Sequence, residues 1–233
     1  VSWERISAEL QKMLTHRHRR RAMRLADQVG LLRLILPELA PLLDADDDPE
    51  WAHTLNILDR LETSRFEPAA AVLLRTLATS SRGKRGSADA GSVGAVCRRL
   101  KLSNEQREEI VWLVANQSAL AGAEHMATSR LKRLLANQRS RELLSIAHAI
   151  DAADHVETPS VRYVAEYLQR TPVDEIDPPP LVTGADLIQL GMRPGPKFKE
   201  LLERARDAQL EGALQDRETA LRQLEEWIAG QSG

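Results

Sequence analysis

Arginine and lysine gather in five short clusters, and these are the residues of the chain best suited to chemistry with a ligand. Arg17, Arg19, Arg20 and Arg21 crowd the stretch THRHRRR, and Arg82, Lys84 and Arg85 sit in SSRGKRGSADAG. Arg98, Arg99 and Lys101 precede a capping sequence, and Arg130, Lys132 and Arg133 follow Ser129. Arg193, Lys197 and Lys199 surround Pro194-Gly195-Pro196. Closely spaced guanidinium and ammonium groups bind phosphate by charge and by directed hydrogen bonds. The last cluster adds a helix start, with Gly195 as cap and Pro196 at the first helical position. Its free amides and two first-turn lysines suit a phosphate, although the helix dipole alone disfavours cations there.

Other reactive side chains are placed less favourably. Asp44, Asp46, Asp47 and Asp48 form an acidic run, and Asp46 and Asp48 have Asp-x-Asp spacing. The run is expected in a loop between helices, where paired metal-binding aspartates of a strand would not sit. His16 and His18 read as part of a solvated, basic helix start. His125, His148 and His155 share no ligand spacing with a cysteine or carboxylate. Cys97 lies among Val93, Val96 and Leu100, the setting of a core filler. Neither a Gly-x-Ser-x-Gly elbow nor a Walker loop is found. The sequence therefore offers no catalytic residue and no metal ligand set.

The elements that would carry these groups are helical. The 233 residues suffice for one large or two modest domains. Hydrophobic residues make up 42% and aromatics 3%, so Leu and Ala dominate the apolar set, as suits helix packed on helix. Trp3, Ile6, Leu10 and Leu14 predict one buried stripe, and Ala22, Leu25, Ala26 and Val29 a second ended by Gly30. Trp51, Leu55, Leu58 and Leu61 recur at helical spacing, and Ser103 with Gln106 forms a capping box before Ile110, Leu113 and Val114. Leu187, Ile188 and Leu190 come after Thr183, with Asp186 set to reach back to the cap. Without sustained two-residue alternation the expected fold is all-α. A net charge of −2 excludes a general polycation, so nucleic-acid contact would need local patches. One cysteine fits a reducing, cytoplasmic setting, and no membrane segment is read. Pro172, Pro178, Pro179 and Pro180 mark a linker. The predicted divisions are 1–45, a body over 46–171, the linker 172–180 and a helical tail over 181–233.

Two segments carry a family resemblance. Thr183, Gly184, Asp186, Leu187, Ile188, Leu190, Gly191, Pro194, Gly195, Pro196, Leu201, Leu202, Gln209, Leu210 and Gly212 fall in a register that resembles the C-terminal region of class II tRNA nucleotidyltransferases. These are the CCA-adding enzymes and their bacterial poly(A) polymerase relatives. Glu4-Arg5-Ile6 with Glu9-Leu10 resembles the family's neck element. Gly30-Leu31-Leu32 and Ile35-Leu36-Pro37-Glu38-Leu39 resemble the segment directly after that element in the family. The resemblance implies a chain that grips tRNA or other structured RNA through its basic clusters. It also implies a nucleotidyl-transferring head, with Mg²⁺ and ATP or CTP, that lies elsewhere in a longer protein and docks on this one. Arg5 and Glu9 are expected to pair one turn apart and buttress the neck. Val1 is no initiator methionine, and a C-terminal fragment is expected.

The body resembles the HD-type phosphohydrolase domain with its metal set degraded. Trp51-Ala52-His53 keeps a first histidine, Arg75-Thr76 stands where a His-Asp pair would be, and Gln117 replaces a further histidine. Guanidinium cannot ligate a metal, so a degenerate scaffold is expected. Two alternatives are an active metal-dependent phosphohydrolase and a helical protein-interaction scaffold.

Overall fold

The computed structural model describes residues 1–44, 48–79 and 88–230, and among these every regular element is a helix. Asp46 and Asp47, and the basic Arg82, Lys84 and Arg85, lie outside the described residues. The helices are α1 Trp3–Thr15, α2 Arg19–Gln28, α3 Leu31–Ile35, α4 Ala40–Leu43, α5 Pro49–Arg60, α6 Phe66–Leu74, α7 Thr76–Thr79 and α8 Ala88–Arg99. Then come α9 Asn104–Ala115, α10 Thr128–Leu135, α11 Ser140–Asp154, α12 Pro159–Arg170, α13 Val173–Ile176, α14 Gly184–Gln189, α15 Pro196–Leu210 and α16 Arg217–Gly230. Among the described residues no helix is long and apolar enough to cross a membrane. The chain divides into two units, 1–121 with 141–164, and 122–140 with 165–233. The proline-rich stretch 172–180 falls inside the second unit.

The first unit is organised by α6, whose sequence FEPAAAVLL is buried at every position except Glu67. A helix apolar all round belongs at a centre. Its alanines let α1, α5 and α9 approach closely. Leu14, Leu32, Leu36, Leu39, Ile57, Leu58, Ile110 and Leu113 of the other elements are fully buried, as is Leu73 of α6 itself. The Ser103–Gln106 box expected from the sequence forms, with reciprocal bonds at 3.1 and 3.2 Å, and Asp48, read only as part of an acidic run, caps α5 by accepting from the Trp51 amide at 2.9 Å. Cys97 is buried, and burial pushes its thiol up to about 11, far from a reactive thiolate.

On α2 the buried face is Arg19, Met23 and Ala26, not the expected Ala22–Leu25–Ala26–Val29 stripe. Leu25 is 50% and Val29 74% exposed. Arg19 can occupy the inward face because its aliphatic stem packs while its Nη2 donates to the Thr63 carbonyl. Gly30 then turns the chain with φ +71°, a left-handed conformation that side chains other than glycine rarely adopt.

The second unit closes over Val182, Leu187, Leu201, Ala205, Leu214, Ala220 and Leu224. Ile188, expected inside, is 56% exposed, because α14 turns it away while Leu187 fills the core. Gly191, at φ +82°, ends α14 with two reverse bonds, Met192 N to Leu187 O and Gly191 N to Ile188 O, both 3.0 Å. The prolines do not hang free. Residues 178–180 lie in no helix, so their carbonyls must find donors elsewhere. Arg206 and Gln209 of α15 donate to the Pro178 and Pro179 carbonyls at 2.7 and 2.8 Å, and Gln209 accepts from Leu181 N.

Candidate nucleic-acid interface

Four arginines project from the start of the first unit. Arg17, Arg20, Arg21 and Arg24 are exposed, whereas Arg19 is inside. Burial and its Thr63 bond make Arg19 a packing group, which corrects its place among the contact residues. Arg24, outside the five sequence clusters, stands one turn beyond Arg20 on the same face. Arg21 and Arg24 have no ion-pair partner among the described residues, and Arg20 reaches only Asp59, at 3.4 Å.

This face borders a groove between α2 and α5. Arg20 contacts Asp59 and Asp27 accepts from Trp51 Nε1 at 3.0 Å, so the two helices run antiparallel. The groove encloses about 580 Å³, and a smaller recess of about 290 Å³ shares Arg20 and Arg24 with it. Arg33, the third guanidinium of the groove, is held by Asp27 at 3.0 Å and Asp44 at 2.9 Å. That double pairing raises the Arg33 guanidinium further above its ordinary value, the Asp44 bond contributing most.

The remaining clusters differ in how much charge they leave available. Arg99 is consumed internally: it clasps Glu38 at 2.5 and 2.6 Å, donates to Ile35 O, and lies over the Trp3 ring. Its bonds lower the Glu38 carboxyl below the ordinary range. Arg133 is tied to Asp207 and Glu203, both at 2.8 Å, while Arg130 is exposed and Lys132 half-buried. Around the proline turn, Arg193, Lys197 and Lys199 are all exposed without an ion pair among the described residues. They stand at the amide-rich start of α15. Arg5 does not pair with Glu9; Glu9 meets Lys12 at 2.8 Å instead, one turn further along α1.

The residues singled out in the body do meet. Arg75 Nη2 lies 2.8 Å from His53 Nδ1 and 2.9 Å from Glu50, and Gln117 Nε2 donates to the Arg75 carbonyl at 3.3 Å. Guanidinium has no acceptor, so Nδ1 accepts and the ring proton stands on Nε2. That nitrogen is 2.8 Å from Asp154 Oδ1, within ion-pair range though not aligned as a hydrogen bond. Burial lowers the Arg75 pKa from its ordinary value. Among the described residues no three His, Cys, Asp or Glu side chains are grouped to hold a metal.

Comparison with known proteins matches residues 87–224 to the family described as tRNA nucleotidyltransferase domain 2. Residues 1–43, which contain α1, α2 and α3, match the family described as an RNA- and SrmB-binding site of polymerase A. The chain is 28% identical over 254 aligned positions to the CC-adding tRNA nucleotidyltransferase of Thermus thermophilus, an alignment covering 97% of this chain and 57% of that protein. It thus spans little more than half the length of the curated relative it matches.

Proposed function

The chain belongs to the tRNA nucleotidyltransferase domain 2 family, and from that premise we propose that it is the RNA-holding part of an enzyme that adds nucleotides to tRNA 3′ ends without a template. The observation carrying this reading is the exposed arginine face of α2, which falls inside the stretch matching an RNA-binding family. A-form RNA is gripped by shape and through phosphate and 2′-OH contacts, a task for rigid helices bearing Arg and Lys. Arg17, Arg20, Arg21 and Arg24 form the first grip, with Arg193, Lys197 and Lys199 a second at the start of α15 on the other unit, and Arg130 a separate exposed cation towards the far end of that helix. The similarity to a CC-adding tRNA nucleotidyltransferase favours addition to tRNA, of CC or CCA, over poly(A) synthesis. Nucleotidyl transfer then belongs to a head domain outside this sequence. Mg²⁺ with CTP or ATP would be held there, and no residue of this chain is assigned to them. The body is a degenerate HD-type scaffold in which the Arg75 guanidinium satisfies His53. The protein works in the cytoplasm.

The test is fluorescence anisotropy of the chain with a tRNA acceptor minihelix over a range of salt. Binding should weaken steeply as salt rises, because neutralised phosphates release their counterions. Replacing Arg20, Arg21 and Arg24 together by alanine should flatten the slope of log K against log salt by about 1 for each arginine. Failure to bind at low salt, or an unchanged slope in the triple variant, would overturn the reading.

A further inference from the structure

The groove between α2 and α5 carries more than positive charge. Arg20, Arg24 and Gln28 on α2 face Ala52 and Asn56 on α5 along it, and the adjoining recess, which shares Arg20 and Arg24, adds Asp59 of α5. Part of the lining is occupied in building the groove. Asp27 is bonded to Arg33 and Trp51, and Asp48 caps α5. Other groups are unspent: Arg24, Gln28 and Asn56 have no hydrogen-bond or ion-pair partner among the described residues, and Asp59 uses only Oδ2, on Arg20. Its size is that of a small-ligand site.

The carboxylate and the amide decide the chemistry. A track for phosphate alone would be weakened by Asp59, whose charge repels each phosphate that Arg20 and Arg24 attract. A carboxylate in such a track is favourable only when a donor meets it. The sugar-phosphate backbone of RNA has one hydrogen-bond donor per nucleotide, the 2′-OH, and that of DNA has none. Asn56, one turn before Asp59, can accept from a hydroxyl or donate to it.

Resting on the RNA-binding reading above, we infer that the α2–α5 groove is a ribose-phosphate subsite: Arg20 and Arg24 take phosphate oxygens, and Asp59 and Asn56 take 2′-hydroxyls, so that the groove selects RNA by its sugar. Ala52 contributes by being small, leaving the floor open beside Asn56. Arg20 stands between the two roles, since a phosphate competes with Asp59 for its guanidinium and leaves the carboxylate free for a hydroxyl.

The experiment compares two minihelices of one sequence, all-ribose and 2′-fluoro. The second keeps A-form geometry and phosphates but lacks the hydroxyl donor. The wild-type chain should bind the ribose form about tenfold more tightly, the equivalent of one or two good hydrogen bonds. Asp59→Ala and Asn56→Ala should each narrow that ratio to about threefold or less. Asp59→Ala should also tighten binding of the 2′-fluoro form, because Arg20 loses its carboxylate competitor. Arg24→Ala should weaken both forms equally and leave the ratio intact. Asp59 is exposed and Asn56 half-buried at the groove wall, so the variants should fold, and circular dichroism checks this. Equal binding of the two forms by wild type, or a ratio unmoved in the Asp59 and Asn56 variants, would overturn the subsite while RNA binding stood. Absence of binding to either form at low salt would instead sink the RNA reading itself.

Discussion

Replacing Asp186 by alanine is expected to lower the stability of the second unit by about 3 kcal/mol. The carboxylate is only 3% exposed and joins three parts of the fold. It accepts from the Thr183 amide at 2.7 Å and the Thr183 hydroxyl at 3.0 Å, closing the start of α14, and from both terminal nitrogens of Arg217 at the start of α16. A charge-assisted hydrogen bond contributes about 1.5–3 kcal/mol and a helix cap about 1 kcal/mol, which together set the magnitude. In a chain of this size each kcal/mol moves the melting temperature by about 2–4 °C, so a fall of roughly 6–12 °C should be seen by circular dichroism. Asp186→Asn keeps the shape but not the charge, and should lose most of the same stability. An asparagine variant as stable as wild type would show that packing, not charge, is what matters there.

The same carboxylate makes an acid signature. The Arg217 bonds first, and the Thr183 amide next, hold Asp186 down at about 2 against an ordinary 3.8. A folded-state pKa below the unfolded one means the stabilisation is complete above about pH 4 and is lost as pH falls through about 2. The stability gap between wild type and Asp186→Ala should therefore close over that window and nowhere above it.

Where the sequence was a sound guide, the reason was local. The Asp186–Thr183 pairing, the Ser103–Gln106 box and the Gly191 stop are written within three or four residues of one another, and each formed. The stripe Trp51, Leu55, Leu58 and Leu61 is buried throughout, and Thr54 and Ile57 beside it widen the buried face of α5. On α2 two stripes of equal period competed: Ala22, Leu25, Ala26 and Val29 against Arg19, Met23 and Ala26. Periodicity cannot choose between them, and a distant carbonyl, that of Thr63, lets an arginine go inside. The basic clusters were visible as charge, yet their availability was not. Arg99 and Arg133 are bound by Glu38, Glu203 and Asp207, residues many positions away. Arg24 could have been found from its spacing to Arg20. Asn56 and Asp59 could not, since only the antiparallel pairing of α2 with α5 sets them beside arginines.

That long-range dependence is greatest at Arg65, whose replacement by alanine should cost about 3 kcal/mol at pH 7 and much less at pH 5. One guanidinium serves three glutamates there: Glu109 at 2.8 Å, Glu67 at 3.5 Å, and Glu142. Glu109 is 7% exposed, and desolvation holds its carboxyl above the ordinary glutamate range even though Arg65 pulls it down. Without Arg65, three acids would face one another with no cation, and the cheapest relief is for Glu109 to take up a proton. The cost of that uptake is bounded by the distance from the pH to the unfolded value near 4.3, at about 1.4 kcal/mol per unit. The bound is about 3.7 kcal/mol at pH 7 and about 1 kcal/mol at pH 5. Because the folded pKa lies above the unfolded one, the destabilisation grows as pH rises and vanishes below about pH 4. Urea unfolding of wild type and Arg65→Ala at the two pH values reads this directly. Adding Glu109→Gln to Arg65→Ala should recover most of the loss at pH 7, since a neutral amide no longer needs the cation. A gap independent of pH, unaffected by the second substitution, would mean that Arg65 acts through its stem packing at the start of α6, and not as the common counter-ion of the three glutamates.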